Sequence, residues 1–359
     1  MVWAGEHTRF SKASFVNRHV SWRLVIAALF GFAANSFVPN ASVADQNGVS
    51  FWLPGQFASL AALPGAPGWS FATTYYHTSL KGSGDVAAAR QVNVNNLSRT
   101  ANLNLNVNLD ARADLQFLIA NYAFQTPVLG GQFALGMALP VGYNNSTSIN
   151  GTLTTPLATR QGSMSDSRSG FGDLYPMATI KWHQGVNNYM TYLTGDIPVG
   201  SYDPTRLSNF GIGHAAIDGG VGYTYLDLTT GREFSLTTGL TYNFANTHTN
   251  DYRNGIDWHA DWGLSQFLSK QFHIGAVGYF YQQLTADSGA LPILGDMKSR
   301  VTAVGPQIGY LFPVGDMHGY LNLKAYYEFD AKNRADGWNA WLTLAISPAA
   351  PDTAASHKR

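Results

Sequence analysis

The chain contains no cysteine and unusually few charged residues. Without cysteine it can form neither disulfides nor thiolate metal sites, and the absence fits a compartment where stray thiols are a liability. Charged side chains make up 12% of the 359 residues, about half of the roughly 25% that is usual in soluble domains. The sequence therefore lacks the charged surface of an ordinary soluble protein.

A surplus of positive charge and long apolar runs are also missing. The 22 basic and 22 acidic residues cancel, whereas a protein that binds nucleic acid needs a basic face for the phosphates. We therefore exclude nucleic acid as a partner. Beyond the N-terminus, no stretch approaches the roughly 18 consecutive apolar residues of a membrane helix. The mature chain thus has no helical means of spanning a membrane.

The N-terminus has the pattern of a secretory signal peptide. A basic stretch from Lys12 to Arg23 precedes an apolar run at residues 24–34, and Ser42-Val43-Ala44 supplies a cleavage site of the small-x-small type. We predict a signal peptide at residues 1–44. The alternative is a membrane anchor, for which the apolar run is too short because a spanning helix needs about 20 residues.

Apolar and polar residues alternate along the mature chain. Leucine or valine alternates with asparagine over residues 101–109, and the same phase continues to Ile119. A period of two predicts a strand with one apolar face, and this one is longer than the ~5 to 6 residues typical of globular proteins. The alternation recurs in later segments. Long strands of this kind are typical of transmembrane barrels.

We predict twelve strands, with long polar connections alternating with tight turns such as residues 184–186 and 229–231. This asymmetry and the even strand number predict an all-β, antiparallel up-and-down barrel at residues 69–347 in the bacterial outer membrane. The predicted strands are 69–80, 98–124, 131–143, 170–184, 187–198, 213–228, 232–245, 256–269, 272–285, 299–312, 318–330 and 337–347.

A soluble sandwich or lipocalin-like barrel is the alternative explanation of the alternation. Such a fold points its apolar residues inward and presents a charged outer face. In this chain the other face carries mainly Asn, Thr, Tyr and Gly, and aromatic residues collect near the strand ends, as in the girdles of membrane barrels. The composition of the two faces therefore favours a membrane barrel.

Residues 45–68, ahead of the first strand, combine chain-breaking and apolar residues. Their prolines and glycines forbid a regular strand or helix, yet Phe51, Trp52 and Leu53 are too apolar for a solvated tail. Because eight strands just fill a barrel interior and sixteen leave an aqueous channel, twelve leave a narrow bore. We predict an N-terminal plug inside the lumen. Residues 348–359 are predicted to form a polar C-terminal tail.

Several polar residues on the predicted inner face are candidates for lining a substrate path. Asp257, His259 and Asp261 share one face but extend over roughly 13 Å, too far to bind one metal ion without other strands. We therefore expect a lumenal hydrogen-bond network, with no metal and no cofactor. The inward charges are expected to pair across the interior, either along a substrate path or as struts. The other candidates are Asp173, Tyr175, Lys181, Lys324, Tyr326 and Glu328.

His77 and Ser79 lie two apart on one predicted strand face, which resembles the catalytic pair of outer-membrane phospholipase, also a twelve-stranded barrel. The resemblance stops there, because Leu80 and Lys81 follow where that family carries Asn-Gly. No orienting acid or amide can be assigned from the sequence. We therefore expect no enzymatic activity and keep a lipase as an alternative.

Several longer segments resemble one known family. In order and spacing they are similar to the outer-membrane proteins named for the meta pathway of phenol degradation, over nearly the whole mature chain. The segments are FWLPGQFASLAALPGAPGW (51–69), GFGDLYPMATIKW (170–182), DIPVGSYDPTRLSNFG (196–211), TNDYRNGIDWHADWG (249–263), YQQLTADSGA (281–290), VGPQIGY (304–310) and EFDAKNRADGWNAWLTL (328–344).

The resemblance implies a transporter-like barrel that contacts outer-membrane lipid and admits small hydrophobic compounds, with aromatic compounds expected. Phe51, Tyr175 and Tyr326 would then offer stacking surfaces to aromatic rings. The alternative is a structural barrel without transport. Outer-membrane barrels commonly end on an aromatic residue that the assembly machinery recognises, whereas here the last strand ends near Ile346 and a polar tail follows.

Overall fold

The computed structural model describes residues 50–86, 104–155, 158–248, 252–288 and 298–349. The predicted signal peptide and most of the predicted tail lie outside these ranges. No helix among the described residues has the length and apolar character needed to cross a bilayer. The strands are β1 (Gly68–Val86), β2 (Asn104–Ala123), β3 (Gln132–Thr155), β4 (Ala158–Phe171), β5 (Tyr175–Gln184), β6 (Asn187–Asp196), β7 (Ala216–Asp227), β8 (Arg232–Asn243), β9 (Asp257–Phe267), β10 (Phe272–Gln283), β11 (Arg300–Val314), β12 (Met317–Lys332) and β13 (Asp336–Pro348).

These strands form one closed antiparallel barrel. β1 pairs with β2 on one side and with β13 on the other, where Phe71 faces Ile346. β4 and β5 share a single position, because β4 pairs with the outer part of β3 and β5 with its inner part. The barrel therefore has twelve strand positions, which confirms the predicted fold class and strand number. Closure leaves no open sheet edge to the lipid.

The outer surface of the barrel is apolar, as the alternation predicted. Exposing such a side chain to water instead of burying it costs about 1.5 to 3 kcal/mol, and lipid removes that cost. A soluble barrel would bury these residues, so the outward apolar face excludes the soluble alternative. Examples of exposed outward residues are Leu118, Leu135, Leu193, Val221, Leu240, Leu264, Ile274, Ile308, Leu321, Leu323, Leu342 and Leu344.

The third connection differs from the prediction. Residues 144–169 were expected to form a long polar loop, but β3 continues to Thr155 and β4 returns from Ala158 as a paired ribbon. Outside the membrane both faces of a strand meet water, so the apolar alternation disappears. The backbone N–H and C=O groups still need partners, and pairing supplies them. The sequence pattern therefore missed this part of the sheet.

The fourth predicted strand, 170–184, is interrupted at residues 172–174. Asp173 lies in this break with 1% of its surface exposed. Its carboxylate accepts hydrogen bonds from the main-chain N–H groups of Gly200 and Ile212, both at 2.7 Å. These two residues belong to the connection between β6 and β7. Asp173 thus ties that connection into the gap in the strand.

The same connection covers the edge of β4 that no other described strand pairs with. Ser201 donates its N–H to the carbonyl of Phe171 at 3.0 Å, and the guanidinium of Arg206 forms an ion pair with Asp166 of β4. An uncovered strand edge presents unpaired main-chain groups. The polar motif within 196–211 therefore acts structurally, as a cover for a strand edge.

Asp287 organises the connections that follow β8 and β10. Its carboxylate accepts hydrogen bonds from the hydroxyl of Tyr252, from Gly255 N at 2.9 Å and from Gln283 Nε2 at 2.6 Å. Burial raises the pKa of Asp287 above its ordinary value, although these three bonds oppose the shift. The two motifs that contain Tyr252 and Asp287 are therefore joined to each other.

Candidate functional site

Residues 50–67, which we call the lumenal segment, contact inward-facing side chains of the barrel. They form the described part of the predicted plug, whose first residues, 45–49, lie outside the described ranges. Trp52 is fully buried, and its ring stacks on that of His259 with 3.5 Å between the ring centroids. The His259 Nε2 atom lies 2.8 Å from Asp218. The wall thus holds Trp52 with a hydrogen-bonded histidine.

Two opposite charges hold the turn that follows. The Asp261 carboxylate accepts the N–H groups of Gly55 and Phe57 at 3.0 and 3.1 Å. The Lys324 ammonium donates to the carbonyls of Gly55 and Gln56 at 2.5 and 3.1 Å. We call Asp261 and Lys324 the clamp. Because hydrogen bonds to charged groups are about twice as strong as neutral ones, the clamp is a strong polar attachment of the segment.

Gly55 is required in the clamp for two reasons. Its φ of +86° lies in the left-handed region that residues with a side chain rarely adopt. A Cβ atom at this position would lie 2.9 Å from the ring of Tyr326, which also donates its hydroxyl hydrogen to the Gly55 carbonyl at 3.2 Å. The Pro54-Gly55 pair therefore fits the close approach between the segment and the wall.

The middle of the segment is held by hydroxyl and carboxylate groups. Leu60 N lies 3.0 Å from both Glu233 Oε1 and Ser235 Oγ, and donates to these two acceptors. Ala62 N donates to Thr224 Oγ1 at 3.1 Å. Ser59 shares a hydrogen bond with Ser265 at 2.8 Å. Three residues of the segment thus contribute four hydrogen bonds to inward-facing side chains of β7, β8 and β9.

Lys181 and Gln132 hold the end of the segment nearest β1. The Lys181 ammonium donates to the carbonyls of Ala61 and Leu63 at 2.8 and 3.2 Å. The Gln132 amide accepts from Gly65 N at 2.8 Å and donates to Gly65 O at 2.6 Å. The segment is thus attached from Trp52 to Gly65.

A cavity of about 430 Å³ lies between this end of the segment and the wall. Drug-sized ligands occupy pockets of roughly 300 to 1,000 Å³, so its size suits a small molecule. Its walls are mainly apolar and aromatic, with hydroxyl and amide groups between them. The lining residues include Phe117, Met137, Tyr175, Met177, Lys181, Met190 and Trp341.

The structure gives each predicted inward residue its own partner. Asp257 accepts from Asn243 Nδ2 at 2.9 Å, while His259 and Asp261 have the partners described above. Glu328 accepts from the Tyr279 hydroxyl at 2.6 Å and from Gly337 N at 3.0 Å. Phe51 lies 5.7 Å from Tyr175 between ring centroids, and Leu53 packs against the aromatic cluster that contains Tyr326.

The expected pairing of inward charges with one another is wrong for Asp173, Lys181, Lys324 and Glu328. The ion pairs His77–Asp114, Arg206–Asp166, His259–Asp218 and Arg300–Asp330 include none of them. Their partners are main-chain groups and a tyrosine hydroxyl instead. For Lys181 and Lys324 the physical reason is that the lumenal segment brings unpaired C=O groups into the barrel, and buried groups of this kind need partners. Asp173 and Glu328 instead accept main-chain N–H groups of the wall and its connections.

Several wall residues that contact the segment, or that bond a side chain in contact with it, were not predicted from the sequence. Asp218 lies in a strand that is otherwise apolar or glycine-rich, so its charge was an available signal. Glu233 follows directly on a tight turn, where a charged residue is unremarkable. In the sequence, Trp341 and Tyr192 are indistinguishable from ordinary apolar strand residues. In the structure each has only 4% of its surface exposed. Only the closed barrel shows that they face the lumen.

His77 has an acidic neighbour that the sequence did not indicate. Its Nδ1 atom lies 2.7 Å from Asp114 of β2, and both side chains are partly exposed. Within the described part of the chain, no hydrogen bond joins His77 to Ser79. The pair therefore has an orienting acid but lacks the contact between base and nucleophile that activates a serine.

Comparison with solved structures supports the fold. The COG4313 outer membrane channel from Pseudomonas putida F1 matches with a TM-score of 0.56 at 15% identity, covering 83% of this chain and 99% of that chain. A Pseudomonas aeruginosa FadL homologue matches with a TM-score of 0.37 at 9% identity, covering 79% and 90%, and is too distant to carry an argument. No curated protein matches the chain.

The closed barrel and its apolar outer face place the protein in the bacterial outer membrane, as predicted. The sequence profile of the family described as "Putative MetA-pathway of phenol degradation" matches residues 89–344. That range is more than half of the chain, and it contains most of the motifs from which the resemblance was drawn. The protein therefore belongs to this family.

Proposed function

We propose that the protein is a channel for passive uptake of small hydrophobic compounds, aromatic ones included, and that the lumenal segment is its plug. The observation that carries the proposal is an amphipathic cavity of about 430 Å³ inside a barrel. Among the described residues, the segment that bounds this cavity is hydrogen-bonded to the wall only through wall side chains. A structural barrel without transport needs neither a cavity nor a removable segment. Of the predicted site residues outside the plug, Tyr175 and Lys181 then line the path, and four hold the plug, namely His259, Asp261, Lys324 and Tyr326.

The attachment of the segment suits a gate. Among the described residues, every hydrogen bond between the segment and the wall uses a wall side chain, and no main-chain pairing joins them. The segment can therefore leave without unpairing the barrel strands. Its loss would expose buried polar groups to water, which can replace their hydrogen bonds.

The lining of the lumen suits aromatic substrates. Tyr76 and Trp341 lie 4.3 Å apart between ring centroids, and Tyr279 and Tyr326 lie 5.0 Å apart. Tyrosine and tryptophan combine an apolar face with a polar tip. A wall of this kind can take up an aromatic ring by stacking while it satisfies one polar substituent.

Uptake into proteoliposomes tests the proposal. We expect a labelled monoaromatic compound to enter vesicles that contain the folded protein faster than it enters empty vesicles, and a hydrophilic sugar to be excluded. Entry of both compounds would indicate a general pore. If neither enters while the heat-modifiable mobility of the barrel shows that it is folded, the transport proposal is wrong and a structural role takes its place.

A lipolytic function is the second candidate, because Asp114 orients His77 near Ser79. We expect no esterase activity from the purified protein on short-chain acyl esters in detergent, and no effect of Ser79→Ala on uptake. The missing contact between His77 and Ser79 is the reason. Activity in the parent protein that Ser79→Ala abolishes would instead establish a lipase.

A further inference from the structure

Lys181 is the only charged residue among the described residues that line the lumenal cavity. Its ammonium group has three N–H donors. Two of them are directed at the carbonyls of Ala61 and Leu63, and the described residues provide no third acceptor. The cavity therefore contains a cation that can still donate one hydrogen bond to a ligand.

No acidic side chain in the described part of the chain pairs with this cation. None of the ion pairs among the described residues includes Lys181. Lys324 is different, because Asp261 holds the same turn of the segment from the other side. A poorly solvated cation with only neutral acceptors favours an anionic ligand, since an anion supplies the missing counter-charge and a stronger hydrogen bond.

The remainder of the cavity suits an aromatic ring. Met137, Met177 and Met190 contribute three flexible, polarisable side chains to its wall, and thioethers make favourable contacts with aromatic rings. Phe117 and Trp341 supply a flat apolar surface with 6.2 Å between their ring centroids. An apolar wall with one cation at its end matches a small molecule that has an aromatic body and a single negative group.

We propose that the cavity binds small aromatic carboxylates, with the carboxylate on Lys181 and the ring against the methionine and aromatic wall. This inference rests on the proposed transport function and names its preferred substrate class. The same ammonium holds two carbonyl groups of the plug, so a carboxylate that takes a second N–H donor with its other oxygen competes with one of them. Binding of the substrate therefore weakens the attachment of the segment at Ala61 or Leu63.

A series of compounds of similar size and different charge tests the inference. The probes are benzoate, benzyl alcohol and benzylammonium, and equilibrium dialysis against the purified folded barrel measures their dissociation constants. We expect benzoate to bind at least about tenfold more tightly than benzyl alcohol, as a charge-assisted hydrogen bond provides. Benzylammonium is expected to bind most weakly.

Substitution of Lys181 tests whether this residue causes the preference for benzoate. In Lys181→Met the dissociation constants of benzoate and benzyl alcohol should become nearly equal, whereas Lys181→Arg should retain a preference for benzoate. Lys270→Met is the matched control, because it also removes one positive charge but lies in an exposed turn. It should leave the ratio of the two dissociation constants unchanged. The heat-modifiable mobility of each variant verifies folding.

Two outcomes would overturn the inference, and both differ from a failure of the transport proposal. Equal binding of benzoate and benzyl alcohol by the parent protein excludes the anion preference even if aromatic compounds still cross the vesicle membrane. If Lys181→Met still prefers benzoate, the carboxylate binds at another site. If benzoate binds through Lys181 but no aromatic compound crosses, the binding site stands and the channel function does not.

Discussion

Removal of residues 45–66 is expected to convert a barrel that conducts little current in a planar bilayer into one that conducts continuously. Twelve strands leave a narrow bore, and the lumenal segment fills it with buried side chains. The exposed fractions of Trp52, Ala62 and Phe51 are 0%, 0% and 6%. Without the segment this volume becomes available to water and ions. We therefore expect the mean single-channel conductance to increase several-fold.

Two controls are needed for this measurement. The deletion must retain the predicted signal peptide, residues 1–44, and its barrel must show the heat-modifiable mobility of the folded parent. A second variant replaces residues 50–66 with a glycine-serine stretch of the same length, which keeps the chain connected but removes the side chains and the clamp turn. It should also conduct. Conductance equal to that of the parent in both folded variants would show that the segment is not a plug.

Loss of the clamp is expected to open the channel intermittently without removing any part of the segment. Asp261→Asn replaces a carboxylate that accepts two main-chain N–H groups, and it leaves Lys324 without the nearby negative charge. Hydrogen bonds to a charged group contribute about 1.5 to 3 kcal/mol, and 1.4 kcal/mol changes an equilibrium tenfold. The open probability in single-channel recordings should therefore rise by about tenfold or more.

The double variant separates the clamp from general damage to the lumen. Asp261→Asn and Lys324→Met act on the same turn of the segment, so their effects on the open probability should be non-additive. Glu328→Gln is the matched control, because this inward carboxylate bonds Tyr279 and Gly337 and not the segment. An open probability that Glu328→Gln raises as much as Asp261→Asn would contradict a specific clamp.

The sequence predicted the barrel because a membrane strand has two environments with opposite demands. At every second residue of segments such as 101–119 the side chain had to suit lipid, and that requirement is local, so it is visible as a period of two. The same logic failed for β3 and β4 beyond the membrane, where both faces meet water. There the pairing follows from main-chain hydrogen bonding, which leaves little trace in hydropathy.

The candidate site was predictable in part. The sequence selected Asp261, Lys324 and Lys181 because charged residues on an inner strand face are conspicuous, and it selected Phe51 and Trp52 because apolar residues ahead of the first strand need cover. It assigned the wrong partners to the charges. Lys324 bonds a residue 269 positions away in the chain, and Lys181 one 120 positions away, and no local pattern encodes such a contact.

The sequence by itself thus determined the kind of protein: a membrane barrel of alternating strands, with too few charges for a soluble surface and an apolar, chain-breaking segment ahead of the first strand. Only the tertiary structure decided what the inward charges do. Closure of the barrel brings β5, β9 and β12 around one segment, whose unpaired main-chain groups then take the carboxylate and ammonium groups as partners. The cavity that remains beside Lys181 is a product of that arrangement, because its walls come from opposite ends of the chain.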